Sequence, residues 1–205
     1  MRVAQKYSHL NGEEYLLVHK KPLYKEILAA IDSIDASRHK TKVSEEQRRQ
    51  GEMVYSPGAL NKAFATYFEA RHWKSQIRKF YVAPKPDHDL VKKLEEMPFE
   101  DQKPFLTGQN LPLYYSYNET DFVKQRVAVE VQLGKYFAVT YDLFVKHLNF
   151  YNANLIDVGV EIVPTMAMRA SMSSGPPAFE KEVHNVLRHG RTTPPVPIVI
   201  LGIEP

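Results

Sequence analysis

Cysteine is absent from the 205 residues, which excludes disulfides, cysteine-ligated zinc and thiol nucleophiles together. Long apolar runs are absent as well. The opening stretch MRVAQKYSHLNGEEYLLVHK has no apolar run of signal-peptide length, and no stretch approaches what a bilayer requires, so the simplest location is the cytoplasm. The 8 histidines are scattered without an H-E-x-x-H or another metal-ligand pair. Neither a G-x-S-x-G elbow nor a phosphate-cradling glycine loop is present, which leaves serine hydrolases and nucleotide-triphosphate enzymes unsupported. A charge excess of one sign is also lacking. The 27 Lys and Arg against 24 Asp and Glu leave a formal +3, which neither demands nor forbids a nucleic-acid partner.

What is present is an ordinary soluble composition, 43% hydrophobic and 25% charged, in a chain long enough for one substantial core. Residues Pro22 to Asp35 read as an amphipathic helix through Leu23, Ile27, Leu28 and Ile31. SPGALNKAF opens another, with Ser56 as N-cap, Pro57 at the first helical position and Leu60, Phe64, Tyr67 and Phe68 as its core stripe. Lys79 to Val82 reads as a short strand and Pro86 to Met97 as a charged surface helix. LPLYYSYN reads as an extended aromatic segment, Tyr136 to Asn152 as a long helix and Ala178 to His189 as a further one. VAVEVQLG, LIDVGVEIVP and VPIVILGI are rich in β-branched residues and read as strands. Strands interleaved with helices predict an α/β (α+β) fold, a single domain over residues 1–205 with a central mixed β-sheet flanked by helices.

One strand carries a puzzle. In VAVEVQLG the side chains alternate faces, so Val127, Val129, Val131 and Leu133 share one face while Ala128, Glu130, Gln132 and Gly134 share the other. Asp121 lies nine positions before Glu130. If DFV and this strand form a hairpin turning at Gln125 and Arg126, Asp121 stands directly opposite Glu130, a destabilising like-charge pair. Bound Mg²⁺ would reverse that sign, since it favours carboxylate oxygens. Asp, eight residues, Glu, one residue and a polar side chain is the skeleton of the PD-(D/E)XK nucleases. There the carboxylates hold the metal, the metal lowers the pKa of a bound water, and the third side chain orients it. The motif is short, and EEQ at Glu45 to Gln47 and EDQ at Glu100 to Gln102 also match its second half, but those lie in charged, exposed-looking segments.

YNETDFVKQRVAVEVQLGKYFAVTYDLFVKHLNFY, with SPGALNKAF, HWK, IDVGVEIVP and MSSG, resembles the BglII/BstYI family of Type II restriction endonucleases over most of the chain, nearest its BstYI side. The resemblance implies a restriction-endonuclease-like fold and a homodimer that cuts both strands of double-stranded DNA at a GATC-centred palindrome, RGATCY as first guess. It further implies 5′ overhangs and Mg²⁺ as cofactor. By position it makes Asp121 and Glu130 metal ligands, the Val131 carbonyl a third, and Gln132 the residue that positions the attacking water. Thr120 departs from the proline of the motif name. Gln132, where most nucleases of the wider group carry lysine, brings no positive charge.

Other residues follow from these readings. Lys135 leaves the catalytic strand towards bound DNA, where it can meet a guanine edge or a phosphate. Ser173 and Ser174 can offer hydroxyls to base edges, or else form a turn with Gly175. Lys124 and Arg126 in the hairpin turn are phosphate contacts or solvated charges. His147 reads as structural. The helix after Gly134 is apolar around much of its circumference, which suits one side in the core and the other, through Phe137, Phe144, Leu148 and Tyr151, against a two-fold mate. A dimer of the same fold that binds DNA without cutting it is the competing reading.

Overall fold

The computed structural model describes residues 1–85, 87–173 and 175–205. Its elements begin with strand β1 (Arg2–His9), helices α1 (Gly12–His19) and α2 (Lys21–Ser33), the short strands β2 (Lys42–Val43) and β3 (Met53–Val54), and helix α3 (Pro57–Glu69). Strand β4 (Lys74–Val82), helices α4 (His88–Glu96) and α5 (Phe99–Gly108), and strands β5 (Tyr114–Lys124) and β6 (Val127–Val131) follow. Next comes a helical run made of α6 (Tyr136–Tyr141), a π turn (Asp142–Lys146) and α7 (His147–Asn152). Strand β7 (Val158–Pro164), helices α8 (Met166–Arg169) and α9 (Phe179–Arg188), and strand β8 (Ile198–Glu204) complete the chain. The main sheet has six strands in the order β1-β8-β7-β6-β5-β4. It is mixed, as expected from the sequence: β6, β7 and β8 run parallel, while β1 lies antiparallel to β8 and β5 antiparallel to β6.

Two compact units make up the chain, Met1–Ser75 with Asp121–Pro205, and Gln76–Thr120. In the first, every residue of β6 and β7 is buried, the pattern of strands covered on both faces. On one face, Val127, Val129, Val131, Val160 and Ile162 pack with Ile27, Ile31, Leu60, Phe64 and Phe68. The α3 stripe faces this core because Ser56 caps the helix by accepting from the Ala59 amide and Pro57 fixes its first turn. The opposite face carries two smaller apolar clusters, Val139, Leu143, Phe179, Ile198 and Ile200 in one and Ala128, Phe150 and Ile156 in the other. Each fully buried Leu, Ile or Phe contributes about 1.5–3 kcal/mol, so the two faces together fix the strands' register. The polar members of β6 and β7 must then sit among apolar neighbours.

In the second unit, Tyr81 stacks on Phe99 with ring centroids 5.6 Å apart, and Tyr115 meets both edge-on. Gln102 is buried, accepting from the Tyr81 amide at 2.9 Å and donating to Leu94 O at 2.9 Å. It is a helix-packing residue, not the exposed one its charged neighbourhood suggests. Helix α5 has no counterpart in the sequence reading because Pro104 lies inside it, where a helix ordinarily stops. Strand β1 was also not anticipated. It sits at the sheet edge and is largely exposed, so it lacks the apolar alternation by which a strand is read. The YYSYN part of LPLYYSYN, from Tyr114, and DFV lie in one continuous strand, and the charged helix starts at His88.

Candidate active site

The β5–β6 ladder pairs Phe122 with Val129, Val123 with Ala128 and Lys124 with Val127, the register that parity and spacing predict. Gln125 and Arg126 both take positive φ, 47° and 69°, as a two-residue I′ hairpin turn requires even though neither is Gly or Asn. Neighbouring groups hold this conformation. Lys20 Nζ donates to Gln125 O at 3.0 Å, the Asp157 amide donates to Arg126 O at 2.7 Å, and the Arg126 guanidinium grips Asp157 Oδ1 at 2.6 and 2.9 Å.

Continued one pair beyond Phe122, this register sets Asp121 opposite Glu130. The regular ladder gives way there. The Asp121 amide faces Glu130 Oε1 at 3.4 Å and the Val131 amide faces Asp121 Oδ2 at 3.5 Å, both long for a hydrogen bond. On its other side β6 pairs in parallel with β7, and Glu130 stands against Glu161. Three adjacent strands thus carry three carboxylates in a row, with Glu130 and Glu161 fully buried.

Covering this row is the interrupted helix. In its π turn the His147 amide donates to Asp142 O, five residues back. An uninterrupted α-helix would turn His147 about 140° away from Asp142, at ~100° per residue; the π turn lets Asp142, Lys146 and His147 all face the sheet. Lys146 Nζ lies 2.6 Å from Asp142 Oδ1 and 3.0 Å from Glu130 Oε2. The second contact is a buried ion pair between the helix and strand β6. His147 Nε2 lies 3.0 Å from Glu161 Oε1, and one of these two atoms carries the proton between them. A Cβ at Gly159 would come within 2.7 Å of the His147 ring, so glycine makes room for it. Glu161 Oε2, Asp142 Oδ2 and His147 Nδ1 are also buried without hydrogen bonds.

The electrostatics follow from this crowding. Burial pushes the Glu130 carboxyl well above the ordinary carboxylate range, and Asp121 adds to the rise against the opposing pull of Lys146. Glu161 is raised by burial and then by Asp142 and Glu130. Asp142 is raised by burial, with Lys146 and the Gln132 amide working against it. Burial, then Lys146, lowers the His147 imidazole to about 3. Burial lowers the Lys146 ammonium, but Glu130 and Asp142 outweigh it, so its pKa is raised. These are carboxylates held together at an electrostatic cost, around oxygen atoms with unused acceptor capacity. That chemistry suits a hard divalent cation. No group of three or more His, Asp or Glu among the described residues is arranged to hold a metal. A cation here would therefore rest on Asp121, Glu130 and a backbone oxygen, for which the Val131 carbonyl is next on the strand.

Gln132 follows one step beyond β6, partly buried. GKY and MSSG meet, since the Tyr136 amide donates to Gly175 O at 2.7 Å. Lys135 is exposed at the start of α6 and Ser173 is buried at the wall of an open cleft of about 400 Å³ shared with Arg49 and Arg169. Ser174 lies outside the described residues. Lys124 and Arg126 are engaged within the fold: Lys124 Nζ donates to both Glu26 carboxylate oxygens at 2.8 and 3.0 Å and to Arg71 O, and Arg126 is held by Asp157 and Asn154. Phe137 and Tyr151 are exposed, whereas Phe144 and Leu148 pack partly against the chain's own Val139 and Leu143 cluster.

Sequence reasoning missed Glu161, Asp142 and Lys146. A signal existed for each. Glu161 interrupts the apolar VGVEIVP as Glu130 interrupts VAVEV, and Asp142 and Lys146 stand four apart in an otherwise apolar helix, the spacing of one face.

A family model described as restriction endonuclease BglII/BglIII matches residues 4–203. Direct comparison with curated proteins returns no match. The fold is similar to that of restriction endonuclease BglII complexed with a DNA 16-mer, with a TM-score of 0.64 and 19% identity over 98% of this chain and 78% of that one. It is also similar to free BglII, with a TM-score of 0.55 and 16% identity over 98% and 79%.

Proposed function

Because the chain belongs to the BglII/BglIII restriction endonuclease family, a family of type II enzymes that cleave DNA at specific sites and use divalent metal ions, we propose that it cuts both strands of a GATC-centred palindrome. RGATCY is the first candidate, cut to leave 5′ overhangs by a Mg²⁺-dependent homodimer in which residues 1–205 act as one nuclease domain. The observation that carries the chemical part is the hairpin that brings Asp121 up to Glu130, whose buried carboxyl is raised above the ordinary range.

Asp121, Glu130 and the Val131 carbonyl would hold the cation, which when bound supplies a polarised water and neutralises charge at the scissile phosphate. The chain's own work is positional. Gln132, two residues beyond Glu130 on the same strand face, would accept from the attacking water through Oε1. From the joined GKY and MSSG segments Lys135 and Ser173 would reach the duplex, and Ser174 is proposed as a further base contact. Exposed Phe137, Val145 and Tyr151 on the outer face of the α6–α7 run, with Phe144 and Leu148 beside them, would meet the two-fold mate. Lys124 and Arg126, already engaged, shape the hairpin more than they reach phosphates. The DNA 16-mer bound by BglII supports duplex DNA as the substrate.

The test is digestion of DNA of known sequence by purified protein with Mg²⁺, the fragment ends being read. Cuts confined to GATC-centred palindromes with 5′ overhangs are expected; random nicking, or cutting at sites without GATC, would refute the specificity. Sedimentation of the DNA-free protein at micromolar concentration should give a dimer, and a monomer would count against that part.

A further inference from the structure

The nuclease motif of this chain has glutamine at position 132, so its strand brings no positive charge to the carboxylates. The structure holds one nevertheless, on the facing helix. We propose that Lys146 is a positioning residue of the nuclease site, an inference that rests on the reading of Glu130 as a catalytic carboxylate.

Three observations carry it. Lys146 is almost fully buried and bridges two carboxylates, Asp142 at 2.6 Å and Glu130 at 3.0 Å. Burying an ammonium costs free energy that a purely packing residue would not impose, and helix side chains in a core are ordinarily apolar. The two oxygens of Glu130 are also treated differently. Oε2 faces Lys146, while Oε1 faces the Asp121 amide. The ammonium therefore fixes the rotation of the carboxylate and presents Oε1 towards Asp121, where both carboxylates can share a ligand. Finally, Asp142, one turn back on the same helix face, holds the Lys146 head, and the stretch from one to the other is a π turn. Such turns occur preferentially at functional sites. Glu130 is thus oriented by an ammonium from the helix above.

A purely structural role, neutralising Asp142, makes a different prediction from a role on Glu130. The decisive variant is therefore the double substitution Asp142→Asn with Lys146→Met, which removes both members of the pair and leaves the net charge unchanged. If Lys146 acts on Glu130, the double variant folds and keeps its KM for DNA but loses about 100-fold in kcat, the scale of a misplaced catalytic group. Its DNA-free form binds Mg²⁺ about tenfold more weakly by titration calorimetry, because freeing a Glu side chain restores rotamer entropy that binding must then remove. Asp142→Asn alone leaves Lys146 on Glu130, and cutting stays within a few-fold of wild type. A double variant with wild-type cutting and Mg²⁺ binding would overturn the proposal, and so would loss of cutting in a folded Asp142→Asn. Should the double variant fail to fold, Lys146→Gln, which removes the charge from Glu130 but can still donate to Asp142, is read instead: the same loss of kcat supports the proposal and wild-type cutting overturns it. Glu130→Gln, run in parallel, separates the two levels of the reading. If it cuts normally, the catalytic assignment of the carboxylates fails; if it is dead while the double variant is active, only the role of Lys146 fails.

Discussion

One hairpin carries charge at both ends, and the two ends are built in opposite ways. At the turn, each acid has a base. Glu26 receives Lys124 and the Trp73 indole N–H, and Asp157 receives Arg126. Burial pushes Glu26 upward, but its hydrogen bonds from Lys124 and Trp73 outweigh that and hold its carboxyl below the ordinary value. Asp157 is lowered chiefly by the Arg126 hydrogen bond. At the open end, Asp121, Glu130 and Glu161 stand side by side on adjacent strands, and one ammonium is shared between Glu130 and Asp142. The Glu130 and Glu161 carboxyls are raised. Paired charge at the turn secures a conformation that its residues do not favour. Crowded charge at the open end is retained at a cost to stability, which fits a role in chemistry.

The widest separation between the ends is in cleavage. Asp121→Ala should lower the Mg²⁺-dependent cutting rate by about three orders of magnitude, the scale on which a principal electrostatic contributor is lost. Glu26→Ala should leave it within a few-fold. Equal losses in single-turnover assays would erase the distinction. Next in size is Gly159→Ala, which drives a Cβ into the His147 ring and should destabilise the protein by about 1–3 kcal/mol as an overpacked core does; denaturant unfolding measures it.

The two ends should also respond to pH in opposite directions. Glu130 and Glu161 have folded-state pKa values above their unfolded ones, so their contribution to stability is full below about 4.5 and is lost as pH rises through the raised values. Glu26 and Asp157 have lowered values, so theirs is present above 4.5 and 3.8 respectively and is lost as pH falls through the folded ones. In metal-free unfolding curves, Glu130→Gln should flatten the decline at higher pH and Glu26→Gln the decline at lower pH. The same slope in both variants would contradict the comparison. The smallest effect belongs to Glu26→Gln near neutral pH, about 1 kcal/mol or less, as for other part-exposed ion pairs.

How much of this was legible depended on distance along the chain. The hairpin register follows from local parity, so Asp121, Glu130 and Gln132 could be placed together from the sequence, and α3 could be read from its cap and stripe. The β6–β7 register could not be read that way. Those strands are parallel and joined through the whole α6–α7 run, so no short-range count sets Glu161 beside Glu130. The π turn was equally hidden, because its sequence has ordinary helix formers, and without it the Asp142, Lys146 and His147 side chains do not share a face. Strand β1 went unread for a third reason: an exposed edge strand needs backbone pairing rather than an apolar pattern.

The most direct measurement is single-turnover cleavage of a GATC-containing duplex by Glu130→Gln with Mg²⁺, on protein whose unfolding curve shows that it is folded. The carboxylate row as catalytic centre predicts almost no cutting by a variant that is at least as stable as wild type without metal. A folded Glu130→Gln that cuts at the wild-type rate would contradict it.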